Sequence, residues 1–274
     1  MPIQLPTEPF GDSPLPDLKL DEAPLLRALV QVRFARSTGL YVDGPVIRRI
    51  ADELAETFPV FDVTNDVSLN LSSSGIAPTP AQTPRWQFAD APGTTNVWLT
   101  PFFVTLETSA YDSRDSLFGK LSAVLESVLA NVRPAFIERV GVRYTNRIDA
   151  PEILAELSQL FRQEMLPAQP LLGSHGYAAM QSWRESFFYN AENRRSLGVR
   201  WGSLPAEATN DPSLPPSSLP SFVLDLDSYY QDRSIEWSVD GVMKKAVSLS
   251  ENAYRFFLWS LSDRALERFG GHEK

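Results

Sequence analysis

The chain has 274 residues, with 25 Lys+Arg against 34 Asp+Glu for a formal net charge of −9, no cysteine, and two histidines, His175 and His272. Without cysteine there is no disulfide framework, thiolate nucleophile or Cys-ligated zinc or iron–sulfur centre, and two distant histidines leave no multi-His metal site. The acidic balance argues against duplex nucleic acid or an anionic membrane as a partner held by bulk charge.

Residues 1–24 carry six of the 22 prolines and are expected to form a flexible, Pro-rich lead. Met1–Asp21 has neither a basic n-region nor an apolar h-region, and no apolar run reaches the roughly 18 residues of a membrane span. The expectation is a cytoplasmic protein with no membrane, metal or cofactor.

A strand follows, in which Ala28, Val30, Val32 and Phe34 alternate with Arg27, Leu29, Gln31 and Arg33. Gly39 ends it. Asp43 reads as an N-cap, with Pro45 in the first turn and Ile47, Ile50, Leu54 and Phe58 at helical spacing up to Pro59. Val63 to Leu71 reads as a short strand and Ser72 to Pro84 as a Ser/Pro-rich loop. Arg85–Ala89 and a long strand Val97–Thr108 form a hairpin across the Asp90–Asn96 turn, with Pro101 marking a bulge or an edge position. Capped by Ser113 or Asp115, a helix with an apolar stripe from Leu117 to Val132 runs to Pro134. The strand Phe136–Ile148 completes a first half, 25–150.

The second half, 151–274, begins with an amphipathic helix, Pro151–Phe161. Tyr177–Tyr189 and Arg195–Trp201 pair across an Ala191–Arg194 turn, and Pro205–Pro220, with five prolines, reads as a mobile loop. Phe222–Tyr230 is a strand. A long helical segment from Ser238 to Phe269 closes the chain, with a Ser248/Glu251 capping box that breaks it near Val247. Strands joined by hairpins, with helices between them, predict an α+β fold. Antiparallel β-sheet carries helices packed on one face, in two similar β/α halves.

The most specific pattern is a Val-Arg-aromatic triplet repeated on predicted strands: Val32-Arg33-Phe34, Val142-Arg143-Tyr144 and Val199-Arg200-Trp201. A period of two puts the Val and the aromatic on the core face and the Arg on the other, where Arg139, Arg143 and Arg147 align. Arginine outnumbers lysine 20 to 5. A GC-rich genome gives that ratio without selection; a chosen guanidinium fork would suit carboxylate or phosphate. On Phe222–Asp227, Asp225 and Asp227 share one face. They read either as cross-strand partners of the arginines or, with more ligands than the sequence offers, as a divalent-cation site. Thus Arg33, Arg139, Arg143, Arg147, Arg200, Asp225 and Asp227 are candidate ligand-binding residues.

His175 lies in a loop beside Ser174, with no nucleophile elbow, P-loop or dinucleotide-binding turn anywhere in the chain, so no catalytic residue is assigned. Phe256-Phe257-Leu258-Trp259, extended by Tyr254, is apolar around its whole circumference. Such a helix is either sandwiched within the monomer or covered by a protein partner or a second copy. Tyr254, Phe256, Phe257 and Trp259 are the candidate interface.

Several landmarks together resemble a sporadically distributed bacterial family of proteins of about this length with no established activity. They are Ala23-Pro24-Leu25 running into Val30–Phe34, Trp86-Gln87-Phe88, the block Arg139-Val140-Gly141-Val142-Arg143-Tyr144-Thr145-Asn146-Arg147-Ile148, Leu224-Asp225-Leu226-Asp227, and the aromatic helix ending at Phe269-Gly270. The terminal helix departs from the pattern, since Ser248–Asn252 lacks the histidine such proteins often carry there. The resemblance implies no catalytic residues, and the patchy occurrence implies a defence or toxin–antitoxin-type module. The expectation is a non-catalytic binding or regulatory protein. The alternatives are an enzyme or binding protein for an anionic small molecule at the Arg face, or a single-strand nucleic-acid binder using arginines and aromatics.

Overall fold

The computed structural model describes residues 3–37, 40, 44–66, 69–72, 75–78, 83–166, 180–232 and 237–273, with backbone alone for those between 65 and 78. The expected N-cap Asp43, the break at Gly39 and the loop histidine His175 lie outside the described residues.

In chain order the strands are β1 (Leu18–Leu20), β2 (Leu25–Phe34), β3 (Val60–Asp66), β4 (Leu69–Ser72), β5 (Gly75–Pro78), β6 (Thr83–Ala89), β7 (Thr95–Leu99), β8 (Phe103–Thr108), β9 (Ile137–Ile148), β10 (Ser182–Asn190), β11 (Arg195–Leu204), β12 (Ser221–Tyr230) and β13 (Gly271–Glu273). The helices are α1 (Gly44–Leu54), α2 (Arg114–Val132), the short turns α3 (Pro151–Leu154) and α4 (Leu157–Leu160), α5 (Val239–Ser260) and α6 (Asp263–Arg268). Nine strands form one sheet in the order β10-β11-β12-β9-β2-β8-β7-β6-β3, and β1-β13 and β4-β5 are two-stranded. The fold is α+β with antiparallel sheet. Among the described residues no helix is long and apolar enough to cross a membrane.

The chain divides into two compact units, but not at residue 150. One unit gathers Met1–Leu26, Arg143–Ser228 and Ser248–Lys274; the other holds Arg27–Val142 and Tyr229–Val247. Each unit is therefore assembled from segments distant in sequence, unlike the successive halves expected.

In the continuous-core unit, 27–142 with 229–247, the alternation of β2 falls where expected: Ala28, Val30, Val32 and Phe34 are buried while Arg33 is exposed. Register carries that alternation across the strands. Val30 lies opposite Leu106, Leu106 opposite Val97, Val97 opposite Phe88 and Phe88 opposite Phe61. The predicted long strand 97–108 is corrected to a hairpin, because the chain reverses at Thr100-Pro101-Phe102 and β7 pairs with β8. The buried Thr100 hydroxyl accepts from the Phe102 and Phe103 amides at 3.2 and 3.1 Å, and Pro101 presets the turn. Helix α2 is capped by Ser113 and buries Leu117, Phe118, Leu121, Val124, Leu125 and Val128, as its stripe requires.

In the other unit, one sheet face built from Leu197, Val199, Trp201, Phe222, Leu224 and Leu226 packs with Phe256, Leu258, Leu266 and Phe269 of the C-terminal helices. The expected break near Val247 does not occur. Helix α5 runs through Ser248, whose hydroxyl accepts from Arg195 at 3.1 Å, and the chain breaks instead at Leu261, where the Ser262 hydroxyl caps α6.

Candidate functional site

The sheet face opposite that helix-covered core carries the arginines. On β9, period two sends Arg143, Thr145 and Arg147 to one side. On the other, the Tyr144 hydroxyl meets Ser250 Oγ at 2.8 Å and Ile148 joins the core. On β12, Asp225 faces the arginines while Leu224 and Leu226 are buried in the core.

Asp225 is 1% exposed and is the hub. Its carboxylate accepts from Arg143 Nε at 2.7 Å and Arg143 Nη2 at 2.8 Å, a bidentate fork, and from the Thr145 hydroxyl at 3.0 Å. Arg143 Nη1 turns to Asp211 at 2.9 Å. Arg200 Nη1 stands 3.8 Å from Asp225, while its Nε donates to Glu185 on the neighbouring strand. Burial alone would lower the Arg143 pKa; hydrogen bonding to Asp225 and the charges of Asp225, Asp211 and Asp227 outweigh it and raise the pKa above the ordinary arginine value. Asp227 takes part through that field.

Arg147 is held separately. It donates to the Pro215 carbonyl at 2.8 Å and lies 3.5 Å from Asp149, which also accepts from the Ser217 hydroxyl at 3.0 Å. These contacts correct the expectation of a mobile loop at 205–220. Asp211, Pro215 and Ser217 anchor it to the arginine face, and the Glu207 amide bonds to the Ser217 carbonyl at 2.7 Å.

The remaining arginines belong to the other unit. The Arg139 guanidinium lies 4.5 Å from the Tyr229 ring centroid and over Gly141, where a Cβ would approach its Nη1 to 2.6 Å. Arg33 is exposed, and its side chain makes no hydrogen bond or ion pair with a described residue. The site therefore unites Arg143, Arg200 and Asp225, places Arg147 under a loop, and does not bring in Arg33 or Arg139.

Asp211 and Glu185 are the participants that sequence reasoning missed. Glu185 was findable, since counting outward from the Ala191–Arg194 turn puts it opposite Arg200. Asp211 had no such signal, because a loop of that length has no register.

Chemically, the cluster is a closed network of charge-assisted bonds, and the Asp225 carboxylate, read as a cation ligand in the alternative, is occupied by guanidinium. No group of three His, Cys, Asp or Glu suited to a metal exists among the described residues. A small opening beside Arg147, lined by Thr145, Asn210 and Leu214, has room for about one water. The buried Asn210 Nδ2 has no partner among the described residues, and a water there would accept one of its two N–H bonds.

Of the two readings of the aromatic helix, cover from within the chain is the one these residues display. Phe256 is buried, and Tyr254, Phe257 and Trp259 are half-buried, because residues of the same chain cover them. The covering layer includes the N-terminal segment that was expected to be flexible. Its Leu18–Leu20 pairs with Gly271–Glu273, and Leu18 is buried.

No protein-family model and no curated protein matches the chain. Among solved structures it is similar to DynU16, a protein of the dynemicin biosynthetic locus, at 9% identity and a TM-score of 0.16, over 86% of this chain and 98% of that one. At that score the likeness carries no weight for fold or function.

Proposed function

We propose that the protein is a non-catalytic interaction or regulatory protein that binds through the edges of its sheet. One observation carries this reading: of the nine exposed large hydrophobics among the described residues, six are Val60, Phe61 and Val63 on β3 and Phe187, Phe188 and Tyr189 on β10. Those are the two end strands of the nine-stranded order. An end strand offers a row of backbone donors and acceptors, and soluble proteins commonly guard such edges with charge or proline. Here they carry aromatic and β-branched side chains, the composition of a contact surface.

The arginine face supports this reading over the anionic-ligand alternative, because Arg143, Arg147 and Arg200 are already satisfied by acids and carbonyls of their own unit. The reading places the protein in the cytoplasm, where a cysteine-free chain is at no disadvantage, as the regulatory component of a defence-type module. Sedimentation velocity over two decades of concentration tests it. Wild type is expected to self-associate, and Phe187→Lys/Tyr189→Lys or Val60→Lys/Val63→Lys to remain monomeric with an unchanged melt. If wild type and both variants sediment alike as monomers throughout, the reading is wrong.

A further inference from the structure

The layer covering α5 on its outer side is extended chain that becomes a strand only at Leu18–Leu20. Residues 3–20 contain Pro6, Pro9, Pro14 and Pro16, and their Ile3, Leu5, Leu15, Leu18 and Leu20 pack on the core cluster. Phe10 sits 5.0 Å from Phe188 and 6.1 Å from Phe256, ring to ring, and is still 37% exposed.

Along residues 6–16 the side-chain hydrogen bonds from the rest of the chain run one way. Arg162 Nη2 donates to the Pro6 carbonyl at 3.2 Å, Arg255 donates to the Ser13 carbonyl and, at 3.0 Å, to its hydroxyl, and the Tyr254 hydroxyl donates to the Pro16 carbonyl at 3.1 Å. At Leu18 the direction reverses, its amide donating to Tyr254 Oη at 3.2 Å. The groove thus offers donors and aromatic faces, and the occupant offers carbonyls. Proline suits that division, because it has no N–H to satisfy and its chain is already extended before it binds.

Arg255 sharpens the requirement. It is 6% exposed, and both hydrogen bonds its guanidinium makes to described residues end on Ser13. An occupant that covers Arg255 must bring carbonyls to it, because one that did not would bury a guanidinium without an acceptor, so the groove favours segments rich in free carbonyls.

The occupant is tied down at its far end by the three-residue pairing of β1 with β13, and otherwise lies on the surface. Such a layer opens more readily than the sheet beneath it.

We propose that this groove is a recognition site for extended proline-rich segments, filled intramolecularly by residues 3–20 and available to a partner protein's segment with the same alternation of prolines and apolar residues. The proposal rests on the interaction reading above but concerns the surface over α5, which meets the β10 edge at Phe188.

A fluorescein-labelled peptide of residues 3–20 is titrated into the full chain, as wild type and as Phe10→Ser/Leu15→Ser, and followed by anisotropy. The tethered segment competes at an effective concentration of about millimolar, so the double variant is expected to bind the peptide at least ~tenfold more tightly than wild type. A peptide with its four prolines replaced by alanine is expected to bind roughly tenfold more weakly, having lost its pre-extension. No binding to a double variant that still melts cooperatively overturns the proposal, and so does equal binding of the alanine peptide.

If the double variant does not fold, hydrogen exchange on wild type decides. The Leu18 amide exchanges faster than the amides of β12 when the segment can be displaced, and no faster when it cannot. Neither result alters the sedimentation of the strand-edge variants, so failure here and failure of the edge reading are told apart.

Discussion

Replacing Asp225 with asparagine removes one charge from a site that is 1% exposed while barely changing its shape. The carboxylate holds Arg143 through two bonds of 2.7 and 2.8 Å and the Thr145 hydroxyl at 3.0 Å. Hydrogen bonds to charged groups contribute about 1.5–3 kcal/mol each, and removing one member of a buried pair costs about 3–5 kcal/mol. Arg143 keeps Asp211 at 2.9 Å and is 19% exposed, so the loss belongs at the low end, about 3 kcal/mol. Glu185→Gln is the control, because its pair with Arg200 is 40% and 37% exposed and such pairs contribute under about 1 kcal/mol. Urea unfolding followed by tryptophan fluorescence measures both, with Trp183, Trp201 and Trp259 reporting on this unit. Arginine keeps its proton throughout the neutral range with or without Asp225, so the Asp225→Asn penalty does not relax as pH rises through it. A penalty below about 1 kcal/mol, or one no larger than that of Glu185→Gln, refutes the argument that Asp225 is the hub of a buried network.

Two further outcomes are expected. Gly202→Ala should unpair the start of β10 from β11, because its φ is +151° and a Cβ would stand 1.8 Å from the Ser182 carbonyl oxygen; unchanged hydrogen exchange at Trp183 and an unchanged melt would contradict this. Asp90→Asn should flatten the acid limb of stability. Burial raises the Asp90 pKa, but hydrogen bonds from Thr95 and Thr94 prevail and hold it below 3.8, so its contribution is present above the unfolded value and fades as pH falls through the folded one. The difference in urea midpoint between wild type and Asp90→Asn should therefore shrink from neutral to strongly acid pH, and an equal difference at both would refute it.

Much of the local structure was legible because periodicity is local. The alternation through Ala28–Phe34, the stripe from Leu117 to Val128 and the Ala191–Arg194 turn each follow from a few consecutive residues. What escaped the sequence was long-range. Pro101 marks a turn rather than a bulge only because Thr100 supplies the hydroxyl that closes it and β8 returns beside β7. The pairing of Arg143 with Asp225 was open to inference as a cross-strand alternative, whereas Asp211 enters from a loop whose path no spacing rule reveals. Proline content made residues 3–20 and 205–220 read as free chain. In both, side-chain donors from elsewhere in the unit bind the carbonyls that proline leaves available. Composition reports what a segment cannot do alone, and says nothing of what another segment does for it.

The pairing of β1 with β13 sets a schedule for synthesis. About 250 residues separate the two strands, so at ~5–20 residues/s the first emerges roughly 12–50 s before its mate exists. Unit 27–142 with 229–247 has most of its sequence available earlier, while the unit containing the arginine cluster waits for its last segment, Ser248–Lys274. For that interval the leucines of the first segment have no helix to rest on. On the ribosome, Leu18–Leu20 is made long before the strand that gives it its place.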